Sequence, residues 1–502
     1  MSVLVNKIRR TFYMDSVALM RISRNVSSQP GVQTAALMIG SATNKKLMQE
    51  AGLLNGDGEG AGANDLILAV RGDDRKSASD AIAEAETLLD APAISGGDGD
   101  EWNPKSIDTA LQQLAGANVA LISVPGEFAA AEAHRALDRG LHVMMFSDNV
   151  PLDDEIALKQ KAKSRGLLMM GPDCGTAIIG GVPLAFANVI ARGDVGIVAA
   201  SGTGLQEVST LLARNGKGIS HAIGVGGRDL KQAVGGITTL MAIDALDRDP
   251  ATRQIVLISK PPEPAVAKTI LDRVGQSRKP FSICFIGVDE MSVPANATLS
   301  SELRSTAEGA LGNKKIAWPG AAPSAAELAK AVQKGRRQIK GLFSGGTLCA
   351  EAQVFFRKAD VLVASNVPIP GVPRPDKAEK DAHVLLDLGD DEYTVGRPHP
   401  MIDPTLRNQM FVEAIKDGRT AVILFDVVIG YGANADPAGD LIAQLPAPGD
   451  RNAVLIASVC GTEQDPQGYS RQAQMLKDAG IVVAPSNAHA AELAIAVLKA
   501  VS

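Results

Sequence analysis

The sequence predicts an α/β protein of several domains built on parallel sheets, and three observations carry that expectation. Short apolar runs alternate with helix-length segments along most of the chain, the pattern of βαβ units. Hydrophobic residues make up 45% but aromatics only 3%, with 50 glycines. Small and branched aliphatic side chains therefore fill the cores, as in sheets covered on both faces. Finally, three strands end in small-residue turns that open helices: VAASGT at Val198–Thr203, LFSGGT at Leu342–Thr347 and ASVCGT at Ala457–Thr462.

At 502 residues the chain exceeds one core, since domains average about 150 residues. An apolar run at Ser16–Ile22, strands at Thr34–Ile39 and Asp65–Arg71, and helices near Lys45–Ala51 and Ser77–Leu89 suggest a ferredoxin-like module over 1–92. Asn55–Asn64 reads as a glycine-dense loop and Ala91–Pro104 as a linker. Strands at Asn118–Val124, Leu141–Phe146 and Leu167–Met170, with helices at Phe128–Asp138 and Asp153–Arg165, form a parallel series over 105–188. A second series covers 189–335, with strands at Val195–Ser201, Ile219–Val225, Ile255–Ile258 and Phe281–Ile286. A third covers 336–502, with strands at Ile339–Phe343, Val361–Ala364, His383–Leu388, Ala421–Phe425, Val454–Val459 and Ile481–Ala484.

Net charge is −6 and no long Lys/Arg run exists, so nucleic acid is an unpromising partner. Four cysteines stand far apart without a CxxC pair. That speaks against structural zinc and disulfides and for a reducing, cytoplasmic location. No stretch of 18 uncharged apolar residues marks a membrane span. Walker A, HExxH and GxSxG sequences are absent.

The three turns place unpaired amides at helix N-termini, where anions bind. Ser201, Gly202, Thr203 and Gly204, then Ser344, Gly345, Gly346 and Thr347, then Cys460, Gly461 and Thr462 are accordingly candidate phosphate or substrate contacts. GPDCGT at Gly171–Thr176 adds Gly171 and Asp173, with Cys174 read as structural for want of a nearby base. GVGGRDL at Gly224–Leu230 adds Gly226 and Gly227, with Arg228 as an anion holder. GRPHPMIDP at Gly396–Pro404 presents Arg397, His399 and Asp403 from a proline-stiffened loop, and Arg397 with His399 suits a carbonyl or carboxylate. DLGDD at Asp387–Asp391, and Asp465, read as solvated turn carboxylates, and no metal site is expected.

From Asn118 to Ile286 the chain resembles the α subunit of succinyl-CoA synthetase. The matches are AHRALDRGLHVMMF, MMGPDCGTAI, GIVAASGTGLQEV and GVGGRDL. The resemblance implies a Rossmann-like domain of the CoA-binding type followed by flavodoxin-like ligase domains, with a CoA or nucleotide remnant site as the conceivable cofactor feature. Two departures stand out. No histidine occupies the segment after IVLISKPPEPAVAKTIL where that family carries its phosphorylated one, and His221 lies one strand too early. Gly175 and Thr176 replace a Pro-Gly.

Over the whole chain the sequence is similar to the FdrA family, a branch of that superfamily, on LFSGGTLCAEA, GRPHPMIDP and CGTEQDPQ. This resemblance implies a subunit of an oxamate carbamoyltransferase, interconverting oxalurate plus phosphate with oxamate plus carbamoyl phosphate in allantoin and purine catabolism. Its partners would be other subunits and copies of itself, its ligands a carbamoyl or acyl substrate and phosphate. In that reading the glycine turns hold phosphate, while Arg397 and His399 clamp the carboxylate or oxyanion. An acyl-CoA synthetase, or a non-catalytic regulatory subunit, is the alternative.

Overall fold

The computed structural model describes residues 2–12, 14, 16–90, 104–379, 381–394 and 398–501. Two compact units result, one of Met1–Ala110 with Asp391–Pro398 and one of Leu111–Asp390 with His399–Ser502.

The first unit runs β1 (Val3–Arg9), α1 (Ser16–Ser27), β2 (Val32–Ile39), α2 (Ala42–Glu50), α3 (Gly56–Glu59), β3 (Leu66–Gly72) and α4 (Arg75–Asp90). Its antiparallel sheet has the order β1-β3-β2. The central strand β3 sends Leu66, Leu68 and Val70 to one apolar cluster and Ile67 and Ala69 to another, so its apolar run is continuous. This is the ferredoxin-like module in a three-stranded form. Ser16–Ile22 is not a strand: it begins α1, where Leu19, Ile22 and Val26 meet the core at helical spacing. β1 was not legible, because its apolar positions are only half-buried at a sheet edge. The glycine-dense loop carries α3, capped by Asn55, and most of the expected linker (91–103) lies outside the described residues.

The second unit opens with α5 (Ile107–Gln113), whose start is counted with the first, then β4 (Val119–Ile122), α6 (Gly126–Asp138), β5 (His142–Met145), α7 (Leu152–Ser164) and β6 (Met169–Met170). These strands form a parallel sheet in the order β4-β5-β6, the Rossmann-like part. A hairpin of β7 (Thr176–Ile179) and β8 (Val182–Ala185) follows, a feature the sequence reading passed over. Next come β9 (Arg192–Ala199), α8 (Gly202–Arg214), β10 (Ile219–Gly224), α9 (Ile237–Arg248), β11 (Gln254–Ser259), α10 (Pro264–Gly275), β12 (Phe281–Phe285), β13 (Ala297–Ser300), α11 (Leu303–Ala310) and α12 (Ala325–Ala329). The last sheet is built from β14 (Gln338–Phe343), α13 (Gly346–Lys358), β15 (Val363–Ser365), β16 (His383–Asp387), α14 (Asp391–Thr394, counted with the first unit), α15 (Thr405–Lys416), β17 (Thr420–Val428), α16 (Pro437–Ile442), β18 (Val454–Cys460), α17 (Tyr469–Asp478), β19 (Val482–Ala484) and α18 (Asn487–Val501).

The two larger sheets share one winding. In β13-β12-β11-β9-β10-β7-β8 the strands β9 to β13 are parallel, and β15-β16-β14-β17-β18-β19 is parallel throughout. The chain leaves β9 to one side for β10, then crosses to the other for β11. It leaves β14 likewise for β15 and β16, then crosses for β17. Each sheet thus has its topological switch beside its first strand, where open α/β sheets bind ligands. One apolar cluster joins both sheets through Leu205, Val208 and Leu211 of α8 and Leu348, Ala352 and Val354 of α13. Both helices are buried along most of their length, so they sit between sheets and not on a surface.

Candidate functional site

Both switch points open into a helix, and the two helix starts meet. Ser201 caps α8, its hydroxyl accepting from Gly204 N at 2.9 Å. The same Oγ lies 2.5 Å from Thr347 Oγ1, at the start of α13, and Thr347 N donates to Thr203 Oγ1 at 3.4 Å. A Cβ on Gly204 would stand 3.2 Å from Thr347 Cγ2, and one on Gly345 3.0 Å from Thr203 Cγ2. Small residues at these positions let two helix N-termini come nose to nose. Each carries roughly +0.5 charge, so the junction calls for negative charge.

Some of it is built in. Asp426, fully buried on β17, accepts from Ser344 N at 2.8 Å and Gly345 N at 2.7 Å. Arg407 on α15, also buried, lies 3.3 Å from Asp426 Oδ1 and donates to Ser344 Oγ at 2.7 Å and Asp426 O at 2.8 Å. Burial pushes the Asp426 carboxyl upward, against the pull of Arg407 and the two amides. Asp387, ending β16, is held by Asn366 through both backbone groups at 2.9 Å and accepts from Gly389 N at 3.0 Å. It lies so close to Gly346 that a Cβ there would collide with Oδ2. Burial raises Asp387 to about 7, against the pull of the Gly389 amide and the exposed Lys260. A carboxyl poised there can hold or release a proton near neutrality. At α8 the amides of Gly202 and Thr203 meet no acceptor among the described residues.

The other expected contacts divide. At the second turn the amides of Ser344 and Gly345 are taken by Asp426; Gly346 lies against Asp387 and Thr347 meets α8. The third turn is an internal joint. Asp465 takes Thr462 N, Val189 N and Asn188 Nδ2, each at 2.7 Å. A Cβ on Gly461 would collide with Ile429, and the buried Cys460 thiol is pushed well up by burial. Cys460, Gly461 and Thr462 therefore offer an anion nothing. Asp387 and Asp465 are buried, not solvated.

Gly171 (φ +97) lies against the Met145 carbonyl and Gly226 (φ +86) against Pro172 O, while Gly227 has Asp173 Oδ2 3.6 Å from where its Cβ would be. Asp173 N donates to Ser147 O at 3.0 Å. These turns pack on each other and on the β5 end. Cys174 is buried and pushed up to about 12, so it is structural. Arg228 is not an anion holder, because it pairs with Glu155 at 2.8 Å and donates to Val150 O at 2.8 Å.

Arg397 lies outside the described residues. His399 is not the cationic clamp expected of it. Burial lowers it to about 4, and its Nδ1 accepts from Met401 N at 3.2 Å, which assigns the proton to Nε2. It fills the space a Cβ on Gly389 would need, and its ring centroid is 6.1 Å from that of Phe186. Asp403 turns inward on its own loop, accepting from Thr405 N at 3.0 Å.

Sequence reasoning missed Asp426, Arg407 and Lys260. One signal was available: Asp426 interrupts the apolar run AVILFDVVIG, and a carboxylate inside a buried strand is rare unless paired.

Residues 342–497 match the CoA-ligase family, and residues 1–104 match the AllF heavy metal-associated domain. The "Uncharacterized protein YahF" of Escherichia coli (strain K12) is 40% identical over 505 aligned residues, covering 97% of both chains. The chain belongs to the YahF family. This chain also shares sequence with ligase subunits: succinate–CoA ligase [ADP-forming] subunit alpha of Aquifex aeolicus is 33% identical over 154 residues, 29% of this chain and 48% of that one. The ADP-forming sulfoacetate-CoA ligase subunit SauD of Bilophila wadsworthia is 29% identical over 151 residues, 29% of this chain and 50% of that one. The chain thus spans about half the length of these ligase subunits. The carbamoyltransferase expectation is overturned, because the matched family and these relatives are CoA ligases.

Two implied groups are tested by the residues present. Soft metals take thiolate, thioether or imidazole; 1–104 holds neither cysteine nor histidine, and of its methionines Met48 is packed in the apolar core. Among the described residues no cluster of three metal-type side chains occurs. The metal does not fit. For coenzyme A the relevant strand ends are those of the Rossmann-like part, where α6 and α7 start behind Pro125 and Pro151 without a side-chain cap. Among the described residues, no helix is long and apolar enough to cross a membrane.

Proposed function

We propose that this YahF-family chain is a subunit of a ligase-type enzyme and that it binds a phosphoryl or acyl-phosphate group between the N-termini of α8 and α13. The observation that carries the reading is the 2.5 Å contact of Ser201 with Thr347, which apposes two positive helix ends at paired switch points. At ~5 Å and an effective dielectric of ~20, two half-charges repel by roughly 1 kcal/mol, and a bound dianion reverses the sign. Gly202 N and Thr203 N would donate to its oxygens. The Ser201 and Thr347 hydroxyls fix the approach, and Lys260 neutralises the outer charge. Asp387 would exchange a proton with the acid that is activated or released. His399 is poorly arranged to accept a phosphoryl group, because its Nε2 bears the proton. The family's names support a small carboxylic acid as co-substrate and further subunits as partners.

Calorimetric titration of the purified chain with inorganic phosphate and with acetyl phosphate tests the reading. Saturable binding that Thr203→Val and Ser201→Ala weaken by about tenfold or more is expected. Unaltered binding in both variants sinks it.

A further inference from the structure

We infer that the Rossmann-like part of this chain does not hold coenzyme A, and that it serves as a solid wedge fused to the neighbouring ligase-type sheet. The inference builds on the ligase-type reading, because only that reading leads one to look for the coenzyme here.

A dinucleotide-type cleft needs glycines whose missing Cβ leaves room for a ligand's phosphates. At the strand ends of β4, β5 and β6 the missing Cβ atoms leave room for the protein itself. A Cβ on Gly126, at the start of α6, would collide with Asp148 O and stand 2.8 Å from Asn149 O. One on Gly171, just after β6, would collide with Met145 O, and one on Gly226, in the loop after β10, with Pro172 O. At these positions backbone packs on backbone and leaves no room for a phosphate, whereas Gly175, beside Gly202 of α8, faces open space.

The cations are spent as well. Lys159 is wholly buried, hydrogen-bonded to Asp229 at 2.6 Å and Val225 O at 3.0 Å and ion-paired with Glu155 at 3.0 Å. Asp229 accepts further from Thr239 N at 2.9 Å and Thr239 Oγ1 at 2.6 Å. Arg228 completes the network on Glu155. This closed set of charges joins α7 to the loop after β10 and to the start of α9, across what would otherwise be a cleft.

The rim is also acidic. Glu127 opens α6, and Asp153 and Asp154 open α7 ahead of the buried, already paired Glu155. Asp148 and Asp173 flank them in the loops after β5 and β6. The helix dipoles there are already answered by side-chain carboxylates. Coenzyme A carries a diphosphate and a 3′-phosphate, and this face would repel it. Of its other basic residues, Lys161 and Arg165 pair with Asp138 at 2.8 Å, and with Arg135, Arg139 and Lys163 they lie at the C-terminal ends of α6 and α7.

Two titrations on the same full-length protein test this. Coenzyme A and, separately, adenosine 3′,5′-bisphosphate are added by calorimetry up to ~1 mM, with inorganic phosphate as the parallel arm. A ligand at a hundred times its Kd would lift the melting temperature by a few degrees. The expected result is no saturable heat and no such shift with either nucleotide. Coenzyme A binding that phosphate competes away and Ser201→Ala removes places the coenzyme at α8 and α13, which leaves the inference standing. Binding that survives both overturns it, and a gain on Asp153→Lys with Asp154→Lys would place that site on this rim. Failure of the phosphate arm alone counts against the anion site and leaves the inference untouched.

Discussion

Replacing Asp387 by asparagine separates the electrostatic role of this carboxyl from its shape. In the folded chain burial raises its pKa from 3.8 to about 7, so folding favours the protonated form. The direction follows from proton linkage. Below about 4 the group is protonated in both states, and it adds its full stabilisation relative to the charged form. As pH rises through about 7 that contribution is lost, because the unfolded chain releases its proton first. At about 1.4 kcal/mol per pH unit, a rise from 3.8 to about 7 amounts to ~4 kcal/mol. Asparagine keeps the oxygen that accepts from Gly389 N and never ionises. Asp387→Asn is therefore expected to match the natural chain near pH 4.5 and to exceed it by ~2–4 kcal/mol at pH 8.5. Urea unfolding at half-unit pH steps, followed by tryptophan fluorescence and circular dichroism together, reads the difference. Because a chain of this size need not unfold in one step, the comparison is made on the transition that both probes share. A variant no more stable than the natural chain at pH 8.5 would refute a buried, proton-holding carboxyl at this position.

Arg407→Met strands the buried Asp426 and should cost about 3–5 kcal/mol at pH 7, with much of the loss recovered in the Arg407→Met/Asp426→Asn double variant. Additive losses in a denaturant series would disprove the coupling. His399, lowered to about 4 from 6.5, stabilises the fold above pH 6.5 and loses that contribution as pH falls towards 4. His399→Gln should therefore flatten acid denaturation between those limits, and an unchanged acid limb counts against it. Gly389→Ala, which drives a methyl into the His399 ring, should cost ~1–3 kcal/mol and be rescued only in part by His399→Ala, because Ser344 O stands 2.9 Å from the same methyl. Ser201→Ala removes the cap of α8 and should cost ~1 kcal/mol in thermal unfolding, together with the phosphate affinity.

The strand-and-helix rhythm was legible from residue 118 onward because parallel strands buried on both faces leave continuous apolar runs, as in NVALISV, VGIVAAS and AVILF. It failed at SVALMRI, a run too short to separate a period of two from one of 3.6, and at β1, whose edge position leaves its apolar residues half-exposed. The three Gly-Thr turns were visible in sequence as equals. Only the winding of the sheets ranked them: those after β9 and β14 lie at switch points and meet, whereas the one after β18 lies beyond its switch and is filled by Asp465. The glycines of GPDCGT and GVGGRDL read alike as ligand cradles or as packing, since a missing Cβ says nothing of what occupies its place. Local patterning determined the α/β class, the order of the elements and the identity of the helix-opening turns, because propensity and periodicity act between near neighbours in the chain. Which amides stay free, which carboxyl keeps its proton and which cation is already paired depended on partners far apart in the chain, 277 residues for Asn188 and Asp465, and desolvation at such sites exists only once the sheets have packed.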